Sequence, residues 1–366
     1  HGSSAASDVY KRQVSVGFRD RLQNLKDSVG QWADTASGSS LDKKIERNLT
    51  EMSAGSEIQR TAAIKALVIQ AQTEEKWLDP IIDSFLRVLP DQLESPQEAL
   101  IDGLMELRKV RPKRAKEIFE GMQSALDSPY PAVRSRVVEI WTNFSLKSKA
   151  KNSDTIADLF EMLSDDDKDV RYQTQESLSK IMNAIPRAAL PALKQALRDE
   201  DWRVVYHSIV LLTEFAKKYP KPSAALAPEV VSAFNSGEKL KERAADCVGM
   251  LGLADPQAVK GAVPGLIKGV ESKSSELRKA SAKALGRIGS KDAMVVFHAV
   301  PKLAKALKND DWYIHTEVVK ALGYIGSNKP TLVKPHLPII KNRTTTGADR
   351  NICQAAEWAY KKAGGK

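Results

Sequence analysis

A period of about 37 residues runs along this 366-residue chain and constrains its fold more than any single motif does. Its clearest copies are Leu240-Lys-Glu-Arg-Ala-Ala-Asp-Cys-Val-Gly-Met-Leu-Gly252, Leu277-Arg-Lys-Ala-Ser-Ala-Lys-Ala-Leu-Gly-Arg-Ile-Gly289 and Ile314-His-Thr-Glu-Val-Val-Lys-Ala-Leu-Gly-Tyr-Ile-Gly326. Aligned on their first apolar residue, the copies start at Ile58, Val133, Val170, Val204, Leu240, Leu277, Ile314 and Ile352, with a degenerate copy around Glu98 to Val110. From Val133 onward the steps are 37, 34, 36, 37, 37 and 38 residues. Positions +4, +7, +8 and +11 of each copy are mostly apolar or small, as in Ser281, Ala284, Leu285 and Ile288. This is the spacing of one buried helical stripe. A unit of this length cannot bury its own apolar face, so neighbouring units must stack on one another to cover it.

A second helix precedes each of these. Pro80, Pro191, Pro228, Pro264, Pro301 and Pro338 stand ahead of apolar runs. Proline is well placed in a first turn, where its missing N–H would be unpaired anyway. Between the two helices lie acidic turns, Ser164 to Asp167, Asp199 to Asp201 and Asn309 to Asp311, suited to cap the helix that follows. Gly252, Gly289 and Gly326 close the repeated phrase and are expected to end their helices in a left-handed conformation.

A proline-led first helix, an acidic turn and a second helix opening Val133-Arg134, Val170-Arg171 or Leu277-Arg278 resemble HEAT repeats, of the armadillo-like class. The resemblance implies an all-α fold, a right-handed α-solenoid or superhelix of about nine HEAT-type helix pairs. It covers residues 42–366; the first three repeats are degenerate and 133–366 are regular. Residues 1–13 read as a leader foreign to the fold, lacking the apolar core of a targeting signal. Residues 14–41 read as one amphipathic helix and a small, polar linker. The fairly apolar last repeat suggests a piece of a longer solenoid.

No apolar run approaches the roughly 20 residues needed to span a bilayer. Cys247 and Cys353 fall at apolar-facing positions without metal-ligand or redox spacing, which suits a reducing, cytoplasmic setting. The net charge of +10 is uneven, about −2 over residues 1–200 and about +12 over 201–366, and points to an acidic partner for the second half.

Nothing in the sequence marks a catalytic residue, a metal ligand set or a cofactor site. His207, His298, His315 and His336 are widely spaced, and neither a phosphate-cradling glycine loop nor a nucleophile turn occurs. Asp165 to Asp167 lack the ligand and glycine order of a calcium loop. In the family, Arg134, Arg171, Lys241 and Arg278 would form a hydrogen-bonded ladder between neighbouring turns. Two HEAT-like enzyme types, the bilin lyases and the alkylpurine DNA glycosylases, share only short phrases or helical pairs with this chain.

Recognition is expected on the exposed stripe of the second helices, positions +2 and +6, which the resemblance places on a concave wall. The candidate partner-binding residues are Tyr172, Tyr206, Lys279, Lys283, Arg287, Lys320, Tyr324 and Trp358. Aromatic and basic groups there suit an extended or helical segment, or an acidic surface, of a protein partner. The reading is a scaffold or adaptor. The alternative is nucleic-acid binding by the basic half, with phosphates tracked by lysines and a base stacked on Tyr324. Gly249, Gly286 and Gly323 at +9 would leave this wall bare. Trp202 and Trp312 follow acidic turns, as tryptophans do in tubulin-binding arrays, but here they are expected to pack within the turns.

Because stability in such an array is shared between neighbours, Leu285→Asp should unfold adjoining repeats along with its own. The thermal melting curve checks this: a large downward shift is expected, and an unchanged curve would refute the shared core.

Overall fold

The computed structural model describes residues 40–148, 153–308, 312–344 and 350–365. Every regular element among them is helical. The leader expected at 1–13 and nearly all of the 14–41 segment lie outside the described residues; the first helix, α1, spans Ser40–Ala54. The chain divides into two compact units at Ile140.

The first unit holds α1, α2 (Glu57–Thr73), α3 (Glu75–Val88), α4 (Glu94–Val110), α5 (Ala115–Met122) and the start of α6 (Pro131–Ser148). Successive second helices α2 and α4 pack together, with α1 and α3 on their outer side. The repeat register here differs from the expected one. Ile58 is 83% exposed, whereas Ala63, Ile64, Leu67 and Ala71 are buried. The stripe of α2 therefore starts at Arg60, and that of α4 at Pro96, followed by the buried Leu100, Leu104 and Leu107. Ser56 explains the shift, because it caps α2 in a reciprocal box with Gln59 and fixes where the helix begins.

The second unit continues with α7 (Ser153–Glu161), α8 (Lys168–Ala184), α9 (Pro186–Ala196), α10 (Trp202–Lys218), α11 (Pro220–Ala224), α12 (Ala227–Ser236), α13 (Lys241–Ala254), α14 (Val263–Gly269), α15 (Ser275–Lys291), α16 (Val300–Ala306), α17 (Trp312–Asn328), α18 (Pro330–Val333), α19 (Leu337–Asn342) and α20 (Arg350–Lys362). The second helices are α8, α10, α13, α15, α17 and α20, and each packs on the next. From α13 to α20 the packing is close and continuous. The first helices α12, α14, α16 and α19 each lean on their own second helix and meet one another sparsely, whereas α9 packs chiefly on α7. From α10 onward the second-helix layer is thus the tighter, inner side. Together these features make an α-solenoid, as the period requires.

Glycine sets that closeness. A Cβ on Gly249 would lie 2.8 Å from the Cα of Ala284, and one on Gly286 would lie 2.7 Å from the Cα of Ala321. Gly252 and Gly326 meet Ile288 and Ala363 of the following helices at 2.5 and 2.8 Å in the same way. These positions do not leave a wall bare, since the next helix fills them. Nor do Gly252, Gly289 and Gly326 end their helices, which run on to Ala254, Lys291 and Asn328. Among the described residues only Gly364 is a glycine with positive φ. A glycine within a helix costs about 1 kcal/mol relative to alanine, so close backbone approach is the reason to retain it.

Proline follows the expected pattern in part. Pro228, Pro264, Pro301 and Pro338 occupy first turns. Pro80 and Pro191 instead lie inside α3 and α9, because those helices begin earlier, at Glu75 and at Pro186. The acidic turns cap as expected where described: Asp167 accepts from the N–H groups of Asp169 and Val170, and Asp201 from that of Arg203. The turn of residues 309–311 lies outside the described residues.

The arginines after each start position bond carbonyls of their own turns. Arg134 donates to the Ser128 carbonyl at 2.6 Å, Arg171 to those of Asp165 and Asp166, and Arg278 to those of Ser272 and Lys273. Each guanidinium closes its own turn, satisfying carbonyls that the short linker leaves over. Links between repeats include Arg203 to Asp166 at 3.1 Å and Ser274 to Glu242 at 2.7 Å. Lys241 pairs locally with Glu238. Cys247 is fully buried, and burial pushes its thiol up to about 12; Cys353 is only half-buried.

Gly286→Val should cost about 1–3 kcal/mol through overpacking against Ala321. Gly261→Ala, whose Cβ would meet only a side-chain methyl of Val231 at 3.3 Å, should be close to neutral. Urea unfolding midpoints of the two variants test the difference.

Candidate partner-binding face

The inner layer of the second unit presents the +2, +6 and +10 positions of its second helices. At +2, Tyr172 of α8 is 66% exposed and donates its hydroxyl to Glu176 Oε1 at 3.0 Å. That carboxylate holds the Tyr172 phenol above its ordinary pKa. On α10, Tyr206 is half-buried. Its oxygen accepts from Arg243 Nε of α13 at 3.1 Å, and the same guanidinium stands 5.9 Å from the ring centroid.

The basic candidates are brought together on α15 and α17. Lys279 Nζ lies 4.8 Å above the Tyr313 ring, and the Tyr313 hydroxyl donates to Glu276 Oε1 at 2.6 Å. Lys283 and Arg287 share one carboxylate, Asp246 Oδ1 of α13, at 3.3 and 3.7 Å. Lys320 pairs with Glu317 on its own helix at 3.3 Å. From α10 onward the +6 side chains are half-buried rather than fully outward, because helices set this close together cover one another's flanks. At the far end, Tyr324 is 43% exposed and meets Trp358 of α20 edge-on, with centroids 5.0 Å apart. Trp358 rests on Gly323, where a Cβ would run into the indole.

The candidates therefore form two sets. Lys279, Lys283, Arg287, Lys320, Tyr324 and Trp358 cluster on α15, α17 and α20, while Tyr172 and Tyr206 lie on α8 and α10. Four further residues stand exposed or paired near the starts of second helices and were not among the candidates: Trp202, Lys239, Arg243 and Tyr313. Trp202 is 44% exposed instead of packed into its turn, with the Lys239 ammonium 4.5 Å over its ring and Tyr206 edge-on at 6.4 Å. The side chain of Trp312 lies outside the described residues. The missed residues sit just before or just after the first buried position, where the helix period gives no reliable direction. Only the recurrence of aromatic and basic residue types in corresponding turns signals them.

The arrangement has a clear chemical character. Aromatic rings carry cations on their faces, and carboxylates stand beside the cations. Each cation–ring contact contributes about 0.5–1 kcal/mol at exposed sites, enough to hold side chains in place but not to hold the fold. Among the described residues there is no group of three or more His, Cys, Asp or Glu side chains suited to a metal ion. None of their helices is long and apolar enough to cross a membrane.

A stacked array of helix pairs with this period defines a class of repeat protein. Residues 119–213 and 263–361, together more than half of the chain, match the family described as HEAT repeats, and the chain belongs to that family. No curated protein matches it. Among solved structures, Kap121p bound to Nup53p aligns with 90% of this chain at 13% identity and a TM-score of 0.56. A Kap121p mutant aligns with 90% at 14% identity and a TM-score of 0.54. In both, the chain spans 38% of the other protein's length. A designed armadillo repeat protein in complex with peptide (KR)4 aligns with 57% of this chain, and with 99% of its own, at 17% identity and a TM-score of 0.47. The likeness to Kap121p is one of solenoid fold.

Asp246 sets the free charge of the basic cluster. Asp246→Asn, nearly isosteric, should release Lys283 and Arg287 and raise the salt concentration that elutes the protein from heparin. Asp255→Asn, away from the cluster, should leave elution unchanged.

Proposed function

We propose that this protein is a non-enzymatic scaffold or adaptor that holds an extended or helical segment of a protein partner along the second-helix face of its second unit. One observation carries the reading. Tyr172, Tyr313 and Tyr324 are large exposed rings on the second helices α8 and α17. Exposed aromatic groups on separate second helices present contact area to a long ligand with few rotors to freeze. The fold likeness to Kap121p, a solenoid solved with Nup53p bound, is in keeping with this role.

Pairing of the basic residues favours protein over nucleic acid. Lys283, Arg287 and Lys320 each stand beside a carboxylate, which would have to be displaced or left facing a phosphate. A peptide has hydrogen-bond donors and cations of its own to satisfy Asp246, Glu276 and Glu317.

The purified chain, incubated with a library of peptides drawn from its source proteome and separately with a single-stranded oligonucleotide, tests the proposal. Peptides should bind, and Tyr172→Ala/Lys279→Glu/Tyr324→Ala should weaken them at least about tenfold, an amount equal to about 1.4 kcal/mol. Their affinity should fall modestly between low and moderate salt. Failure to bind peptides, together with oligonucleotide binding that collapses over the same salt range, would replace this reading with nucleic-acid recognition.

A further inference from the structure

The tight inner layer has a consequence on the other side of the second unit. The first helices α9 and α12 splay, and between them they leave an open cleft of about 540 Å³. Leu197, Val205 and Leu240 form its floor, and the exposed Trp202 stands at its rim. Glu229, only 4% exposed, is set into the wall. Its Oε1 accepts from Arg198 at 2.7 Å and lies 3.6 Å from Lys194. Among the described residues, no donor meets its buried Oε2. A carboxylate taken out of water with half of its acceptor capacity unused is costly, and a fold retains one more readily where a ligand completes it.

Two carboxylates beside Glu229 face the mouth. Asp199 and Glu200 line the opening, and Trp202 already carries the Lys239 ammonium on its ring. Arg198 and Lys194, the cations of this wall, are committed to Glu229 Oε1.

We propose that this cleft is a second docking site, distinct from the inner face, for a partner segment that places an apolar side chain on the Leu197–Val205–Leu240 floor and an adjacent arginine or lysine at the mouth. The apolar group covers surface that the splayed helices cannot close. The cation meets Asp199 and Glu200, stacks toward Trp202, and brings N–H donors to the Glu229 side of the cleft.

The test uses the full chain and two probes, acetyl-Leu-Arg-Leu-amide and acetyl-Leu-Glu-Leu-amide, followed by indole and methyl NMR. The arginine peptide should shift the Trp202 indole and the Leu197 and Val205 methyls in a saturable way, with a Kd on the order of 1 mM, about −4 kcal/mol. Ser232→Trp, which fills the cleft from an exposed position, should abolish the saturable shifts, and Glu200→Lys should weaken binding roughly two- to fivefold, the scale of an exposed charge contact. Tyr324→Ala on the inner face should not change it, so the two surfaces succeed or fail independently. The proposal is overturned if neither peptide shifts these signals, if the glutamate peptide shifts them as strongly, or if Ser232→Trp leaves the titration unaltered. Spectra of the free variants establish that they are folded.

Discussion

Close approach between consecutive second helices is the constraint on which the second unit depends. Gly249, Gly286 and Gly323 remove the Cβ atoms that would hold one backbone away from the next, and small side chains such as Ala284, Ala321 and Ala359 fill the space. The helical cost of these glycines is offset because the apolar stripe of each repeat becomes the floor of its neighbour. Fully buried side chains such as Leu285, Ile288, Leu322 and Ile325 then form one core running across repeats. Packing of this kind turns a modest local period into a cooperative structure.

Two surfaces follow from the same geometry. On the inner side, close helices bring side chains of neighbouring repeats into contact, so that Asp246 reaches Lys283 and Arg287 and Tyr324 reaches Trp358. Charges and rings there are arranged in register with the repeats. On the outer side the first helices cannot follow the tighter layer and spread, opening clefts between α9 and α12 and between α12 and α14. The buried Glu229 and the exposed Trp202 distinguish the former. An array built in this way offers one continuous face and a series of separate notches, which is suited to holding a partner at more than one point.

Several features legible in one dimension changed meaning in three. The phrase Ala-Leu-Gly-Arg-Ile-Gly ending at Gly289 looks like a helix followed by its stop signal, yet the helix continues to Lys291. Glycine at a helix end and glycine at a helix contact are the same letter, and only the position of Ile325 and Val296 against Gly289 decides between them. Arg171 and Arg278 were readable as turn residues, but which carbonyls of their own turns they reach depends on the path of the turn. Ile58 suited a buried position by type, and the cap at Ser56 placed it outside.

What the sequence determined by itself was the all-helical repeat architecture, the identity of most core positions from Val133 onward and the layer on which Tyr172, Lys279 and Tyr324 stand. These are consequences of periodicity, which a helix of fixed pitch converts directly into faces. Tertiary structure alone decided which charges are already partnered, which rings carry a cation, and where the first helices separate enough to leave a cleft. Those properties depend on distances between residues roughly one repeat apart, such as Asp246 with Lys283, Lys239 with Trp202 and Arg198 with Glu229. No local pattern encodes such distances, because they are set by how closely one backbone can approach the next.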